Sequence, residues 1–223
     1  MDEFCGRVTC SFDKYVLVNP TDLLFKKGKK MPEMEYKIAY IITYTGKVFD
    51  FLNPKPEMVC IEDIAHALAN ICRYTGHVKQ FYSVAQHSVL MANADLPGDP
   101  LVRLLHDSVE AYIGDLASPW KNLLYVESIR SPVIAVPVRK FEREIQAVIG
   151  MALGVDLTHS AEVKESDIRM FWTEVRDLMP KMPEDFEWGP PRMEPLEAKI
   201  IPWNPITAEG MFLSTYNKIK ESL

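Results

Sequence analysis

Long apolar runs are missing from this sequence. No stretch of its 223 residues approaches the roughly 18 consecutive apolar residues of a membrane-spanning helix. Positive charge is also in short supply: 25 Lys and Arg face 31 Asp and Glu, a net of −6, with the acidic residues scattered rather than in blocks. Such a chain has no basic face for a nucleic-acid backbone, so stable nucleic-acid binding is not expected. A small anionic substrate held by a few local cations remains compatible with it. Cysteine is scarce. The four present, Cys5, Cys10, Cys60 and Cys72, lack zinc-ligand spacing and read as reduced, mostly buried thiols. The start, Met1-Asp2-Glu3-Phe4, lacks the basic-then-apolar order of a secretory signal, so a cytoplasmic location with no membrane partner is expected.

What is present is an ordinary globular composition, 48% hydrophobic and 25% charged, at a length that suits one domain with an appendage. Residues 1–60 differ from the rest. Arg7 to Val18 and Tyr36 to Phe51 are rich in β-branched and aromatic residues, with Gly28 and Gly46 as turn signals, and predict short strands or extended arms. From Glu62 the pattern becomes helical, with Ile61, Ile64, Ala65, Leu68 and Ile71 at three- and four-residue steps. Ser83-Val84-Ala85-Gln86 reads as a capping box opening a second helix, and Asp99-Pro100 opens a third that Gly114 ends. Further helices are predicted around residues 137–151, 161–179 and 206–222. Between the last two, residues 180–205 carry seven of the 16 prolines and read as an irregular wrap or lid. The fold class is therefore all-α, with an extended or β appendage over 1–60 and a helical domain over 61–223.

The third helix carries the chemistry. Leu101, Val102, Leu104, Leu105, Val109, Ala111, Tyr112 and Ile113 make it apolar on nearly every side, which is the pattern of a buried helix. Yet His106, Asp107 and Glu110 lie in its middle, and buried carboxylates are costly unless paired or bound to a metal. The plainer reading is an Arg103–Asp107 surface pair beside a core histidine. His87 shares an inward stripe with Val84 and Met91, where a lone histidine is more often a hydrogen-bonded core residue. Asp167 shares one with Val163, Met170, Phe171 and Leu178. One explanation covers all three anomalies: a metal site of His87, His106, Asp107 and Asp167, with positions left open for water and substrate. Of the other histidines, His66 reads as packed near that site, His77 as a candidate substrate contact after Gly76, and His159 as exposed at a helix start.

The order His87, His106-Asp107, Asp167 resembles the H…HD…D signature of HD-domain phosphohydrolases. Tyr82-Ser83-Val84-Ala85-Gln86-His87-Ser88 and the run from Leu105 through Glu110 and Gly114-Asp115 to Leu116 resemble segments of YfbR-like bacterial 5′-deoxynucleotidases. They are also similar to phage DatZ-type dATP triphosphohydrolases. Val163-Lys164-Glu165-Ser166-Asp167 resembles the segment that supplies the last ligand in those proteins, and the likeness spans roughly residues 61–180.

The resemblance implies an HD-domain helical bundle that holds one divalent transition metal ion (Mn, Co, Zn, Fe or Ni) and hydrolyses deoxyribonucleoside 5′-phosphates. It implies Glu110 and Asp115 as catalytic carboxylates, Arg73 and Tyr74 as contacts to phosphate, sugar and base, and Lys121 as a phosphate-facing lysine. The expected partner is a small deoxynucleotide; a homo-oligomer is compatible with it, as is a host cytoplasm for a phage-encoded chain. Rival readings are a (p)ppGpp hydrolase, a cyclic-nucleotide phosphodiesterase and a non-catalytic nucleotide-binding HD module. His106-Asp107-Ser108-Val109-Glu110 departs from H-E-x-x-H and argues against a zinc protease.

Overall fold

The structure is a computed structural model that describes residues 39–122, 125–127, 135–158, 160–181, 183 and 189–223. The strand expected within Arg7 to Val18 and the exposed His159 lie outside the described residues. The described part opens on a hairpin, β1 (Tyr40–Ile42) antiparallel to β2 (Val48–Asp50), with Ile41 opposite Phe49. Alternation turns Phe49 inward, where it is fully buried and stacks on Tyr112 at 4.1 Å between ring centroids. The turn is pinned from outside the hairpin: buried Asp63 accepts hydrogen bonds from the Thr45 backbone N–H (2.7 Å) and hydroxyl (2.9 Å). The compact unit accordingly begins at Ala39, and the hairpin, which falls inside the expected appendage, packs on the helices.

Helices follow at the predicted places, except that the expected third is split in two and a short helix after it was not predicted. They are α1 (Ile61–Asn70), α2 (Val84–Asn93), α3 (Pro100–Leu105), α4 (Glu110–Ile113) and the short α5 (Ser118–Lys121). A second small hairpin, β3 (Tyr125–Glu127) with β4 (Ala135–Pro137), precedes α6 (Val138–Leu153), α7 (Ala161–Leu178) and α8 (Pro205–Glu221). Caps explain the starts. The Ser83 hydroxyl accepts from Gln86 N–H, the Asp99 carboxylate from Leu101 and Val102 N–H, and Ser160 and Asn204 do the same for α7 and α8. Each such cap contributes about 1 kcal/mol. Only half of the predicted capping box forms, because the Gln86 side chain turns elsewhere.

α8 is the centre of the packing. It lies against α1, α2 and α3, and its Phe212 and Ala208 join Ile64, Leu68, Val89, Leu104, Leu105 and Ile149 in the main core. A second cluster, Tyr82, Met91, Leu96, Val163, Met170, Leu178 and Ile200, joins α7 to α2. No helix among the described residues is long and apolar enough to cross a membrane.

The described part of the proline-rich segment, residues 189–203, wraps along α7. Prolines cannot donate to a ladder, so side chains of α7 supply the bonds instead. Arg169 donates to Glu194 O (3.1 Å), and Arg176 to Leu196 O (2.6 Å) and Ala198 O (2.9 Å). Thr173 and Asp177 accept from Leu196 and Ile200 N–H at 2.9 and 2.8 Å. Gln86 closes the wrap by donating to Ile201 O (2.7 Å) and accepting from Trp203 N–H (2.8 Å).

Candidate metal centre

The expected third helix is broken where the His-Asp doublet sits. Between α3 and α4 the backbone stays in the right-handed region, with φ −61° at His106 and −59° at Val109. Its hydrogen bonds tighten to three-residue steps: Ser108 N–H to Leu105 O, Glu110 N–H to Asp107 O, and Ala111 N–H to Ser108 O. A regular helix would give the Arg103 carbonyl to Asp107 N–H. Here His106 Nδ1 takes it at 2.8 Å. A carbonyl only accepts, so Nδ1 carries a proton, and Nε2 lies on the other side of the ring. Arg103 does not form the surface pair with Asp107; it is buried, and it donates to Ala92 O and Leu96 O at the end of α2.

His87 is oriented by the same logic from a different source. Its Nδ1 lies 2.6 Å from Glu174 Oε1, which leaves Nε2 facing His106 Nε2 at 3.3 Å. Asp107 Oδ2 lies 3.1 Å from His106 Nε2 and 3.8 Å from His87 Nε2; Asp167 Oδ1 lies 3.9 and 3.4 Å from the same atoms. The two Nε2 atoms thus face each other with a carboxylate oxygen beside each, a crowding that protons or a cation would relieve. Bonds of about 2.0–2.2 Å to one ion would space neighbouring ligands about 2.9–3.6 Å apart in tetrahedral or octahedral geometry, close to the spacing here. His87, His106 and Asp167, whose ligand atoms lie within 4.8 Å of one another, form a group that can hold a metal ion.

The electrostatics agree. Burial opposes a charge on His106, yet the Asp107 carboxylate, and Asp167 after it, raise its pKa to about 9. Burial also opposes charge on Asp107 and Asp167, but the two imidazoles hold both carboxyls below their ordinary range. Positive charge is therefore favoured at this spot, whether as protons or as a metal ion.

Glu174, fully buried on α7 two turns beyond Asp167, gathers the surrounding groups. It accepts from His87, from Arg73 at 3.2 Å and from the Tyr74 hydroxyl. Arg73 also reaches Asp107 at 3.4 Å and packs its guanidinium 5.3 Å from the Tyr74 ring centre. Tyr74 and Thr75 both have left-handed backbones, at φ 57° and 54°, before Gly76 at φ 81°. Non-glycine residues hold that conformation at a cost of about 1–3 kcal/mol each, so the contacts of Arg73 and Tyr74 with Glu174 must outweigh it.

Glu110 is buried at the start of α4, and its Oε2 has no hydrogen-bond partner among the described residues. Its Oε1 lies 3.4 Å from Lys121 Nζ, which also pairs with Glu142 of α6 at 2.9 Å. Burial pushes the Glu110 carboxyl well above its ordinary pKa, with the Asp107 and Asp115 charges adding to the effect. Asp115 follows Gly114, whose φ of +79° ends α4; burial raises its pKa as well. His77 is exposed, and its ring makes no hydrogen bond or ion pair with these groups among the described residues. His66 is not beside the metal centre: its Nδ1 lies 3.0 Å from Glu209, and its ring stacks on Tyr44 at 3.7 Å.

Three participants escaped the sequence reading. Glu174 had a detectable signal, since it shares the inward stripe of Asp167 at a seven-residue step. Glu142 and Gln146 had a weaker one: they lie four residues apart, on one face of α6. Gln146 is buried beside the broken helix.

No family model matches the chain. It is 35% identical over 188 residues to the uncharacterized protein YfdR of Escherichia coli K12, an alignment covering 82% of this chain and 97% of that protein. It is 34% identical over 148 residues to an uncharacterized protein of Rhodobacter capsulatus, covering 60% of this chain and 76% of that one.

Proposed function

The chain belongs to the same family as YfdR, and from the centre it carries we propose that it is a divalent-metal-dependent HD-domain phosphohydrolase of deoxyribonucleoside 5′-phosphates. One observation carries the reading: His87, His106 and Asp167 bring ligand atoms within 4.8 Å of one another, with Asp107 Oδ2 3.1 Å from His106 Nε2 and a buried glutamate with an unpartnered oxygen nearby. Metal ligands that leave open positions next to a proton-holding carboxyl are what metal-assisted hydrolysis requires. The deoxynucleotide substrate rests on the likeness of the Tyr82–Ser88 and Leu105–Leu116 runs to YfbR-like and DatZ-type enzymes.

When bound, the ion supplies Lewis-acid polarisation of a phosphoryl oxygen and acidifies an attacking water. The chain's own groups do the rest. Glu110, whose carboxyl burial and the neighbouring carboxylates push toward the protonated form, would supply a proton to the departing 5′ oxygen. Asp115 helps to orient the water. Lys121, anchored by Glu142, offsets the charge that develops on the phosphoryl oxygens. Arg73 and Tyr74 border the position of sugar and base.

Elemental analysis is expected to find about one divalent transition metal ion per chain in wild type and much less in Asp107→Ala. Equal metal in both proteins would remove Asp107 as a ligand.

The cleavage position follows from how the substrate is held. Anchoring of sugar and base by Arg73 and Tyr74 places the α-phosphorus at the centre, and positioning of this kind can lower a barrier by several kcal/mol. A deoxynucleoside monophosphate is expected to yield nucleoside and orthophosphate, and an accepted triphosphate nucleoside and intact tripolyphosphate. Phosphorus NMR of the first products decides it. Orthophosphate and diphosphate nucleotide appearing first from a triphosphate would mean attack at the γ-phosphorus.

A further inference from the structure

We infer that Gln146 of α6 is a positioning residue for the metal centre: its carboxamide holds open the helix break that aims His106 and Asp107. The inference rests on the metal-binding part of the reading above and adds a residue that the ligand pattern does not contain.

Breaking a helix between Leu105 and Glu110 leaves polar backbone groups without their usual partners in a buried place, where an unsatisfied group is costly. Neither glycine nor proline lies in that stretch to account for the break. The Gln146 carboxamide meets the displaced groups with both of its ends. Its Nε2 donates to Leu105 O and His106 O, each at 3.1 Å. Its Oε1 accepts from Val109 N–H at 3.2 Å and from the Ser108 hydroxyl at 3.4 Å. In a continuous helix the His106 carbonyl and the Val109 N–H would find backbone partners four residues away. Within the tight turn they point at α6. The two flanking core residues, Ile145 and Val148, are buried, which holds Gln146 in place.

The consequence reaches the ligands through two bonds. While the turn is held, the Arg103 carbonyl stays available to His106 Nδ1, and that bond keeps Nε2 turned toward His87 and Asp107. The same turn sets the direction of Asp107, the next residue. If the segment relaxed into regular helix, His106 Nδ1 would have to share Arg103 O with Asp107 N–H, weakening the bond that orients the ring. No other residue type of this size offers both a two-proton donor and an acceptor at the end of a side chain.

The test titrates Co²⁺ into the metal-free full-length chain, following its visible d–d absorption and its competition with a chelator. Gln146→Glu keeps the shape and the acceptor but loses the donor; Gln146→Leu loses both. Asp63→Asn, which loosens the hairpin turn away from the centre, is the control for general destabilisation. Both Gln146 variants are expected to bind Co²⁺ roughly 10–100-fold more weakly than wild type and to show an altered d–d spectrum. Asp63→Asn should match wild type in both readouts even where its Tm falls. Wild-type affinity and spectrum in Gln146→Glu would overturn the inference while leaving the metal centre intact. Equal weakening in Asp63→Asn would overturn it too, by showing that any loosening suffices. A wild-type chain that takes up no Co²⁺ would overturn the metal reading and this inference together.

Discussion

Glu110→Gln is expected to lower turnover roughly 10²–10⁴-fold while leaving the metal content at the wild-type level. The substitution keeps the size of the side chain and its contact with Lys121 but removes the acidic proton. Glu110 does not belong to the proposed ligand set: its carboxylate faces Lys121, and its second oxygen is buried without a hydrogen-bond partner among the described residues. Native structures seldom leave such an atom unsatisfied without a use for it. His106→Ala is the contrasting case, since it removes a ligand and should lose metal and turnover together. Measuring metal by elemental analysis and kcat on the same preparations separates the two roles. Near-normal turnover in Glu110→Gln would reduce the carboxylate to a structural partner of Lys121.

Arg73→Ala is expected to destabilise the fold by about 3–5 kcal/mol, because it leaves Glu174 buried without its guanidinium partner. For a chain of this size that corresponds to a fall in Tm of roughly 6–20 °C. Left-handed Tyr74 adds to the loss, since its hydroxyl and the Arg73 side chain converge on the same carboxylate. An arginine that served the substrate alone would behave differently: KM would rise and Tm would stay unchanged. Calorimetry of the metal-loaded variant beside its kinetics distinguishes these outcomes. The double replacement Arg73→Met with Glu174→Leu should recover part of the stability, because exchanging a whole buried pair for apolar groups costs less than breaking it.

The helices and their starts were legible because local rules determine them. Ser83 and Asp99 act as caps within three residues of the groups they satisfy, and the stripe containing His87 buries it where the helix packs, whereas Asp167 keeps a side chain that is 43% exposed. The tight turn at His106 was not legible. Its residues have ordinary helical φ and ψ, nothing in Leu105–Glu110 forbids a regular helix, and the group that stabilises the break lies some 40 residues later in the chain. Arg73 was legible as a cation near the site but not in its engagements, because Glu174 lies 101 residues away. Lys121 is similar: the two glutamates that hold it come from α4 and α6, and only packing brings them together. Long-range pairs between buried polar groups leave no periodic trace, and these are the contacts that orient the centre.

The wrap along α7 bears on the order in which a growing chain can become functional. Every residue placed at the metal centre has been synthesised by Glu174, yet the Gln86 side chain beside His87 finds its two partners only at Ile201 and Trp203. The helix that floors α1, α2 and α3 comes later still, with Phe212 as its deepest residue. A nascent chain halted after α7 would carry all of its ligands but lack the surface against which α2 is held. The setting of the centre is therefore complete only once α8 has been made, and a ribosome-bound intermediate has the residues of the centre before it has their geometry.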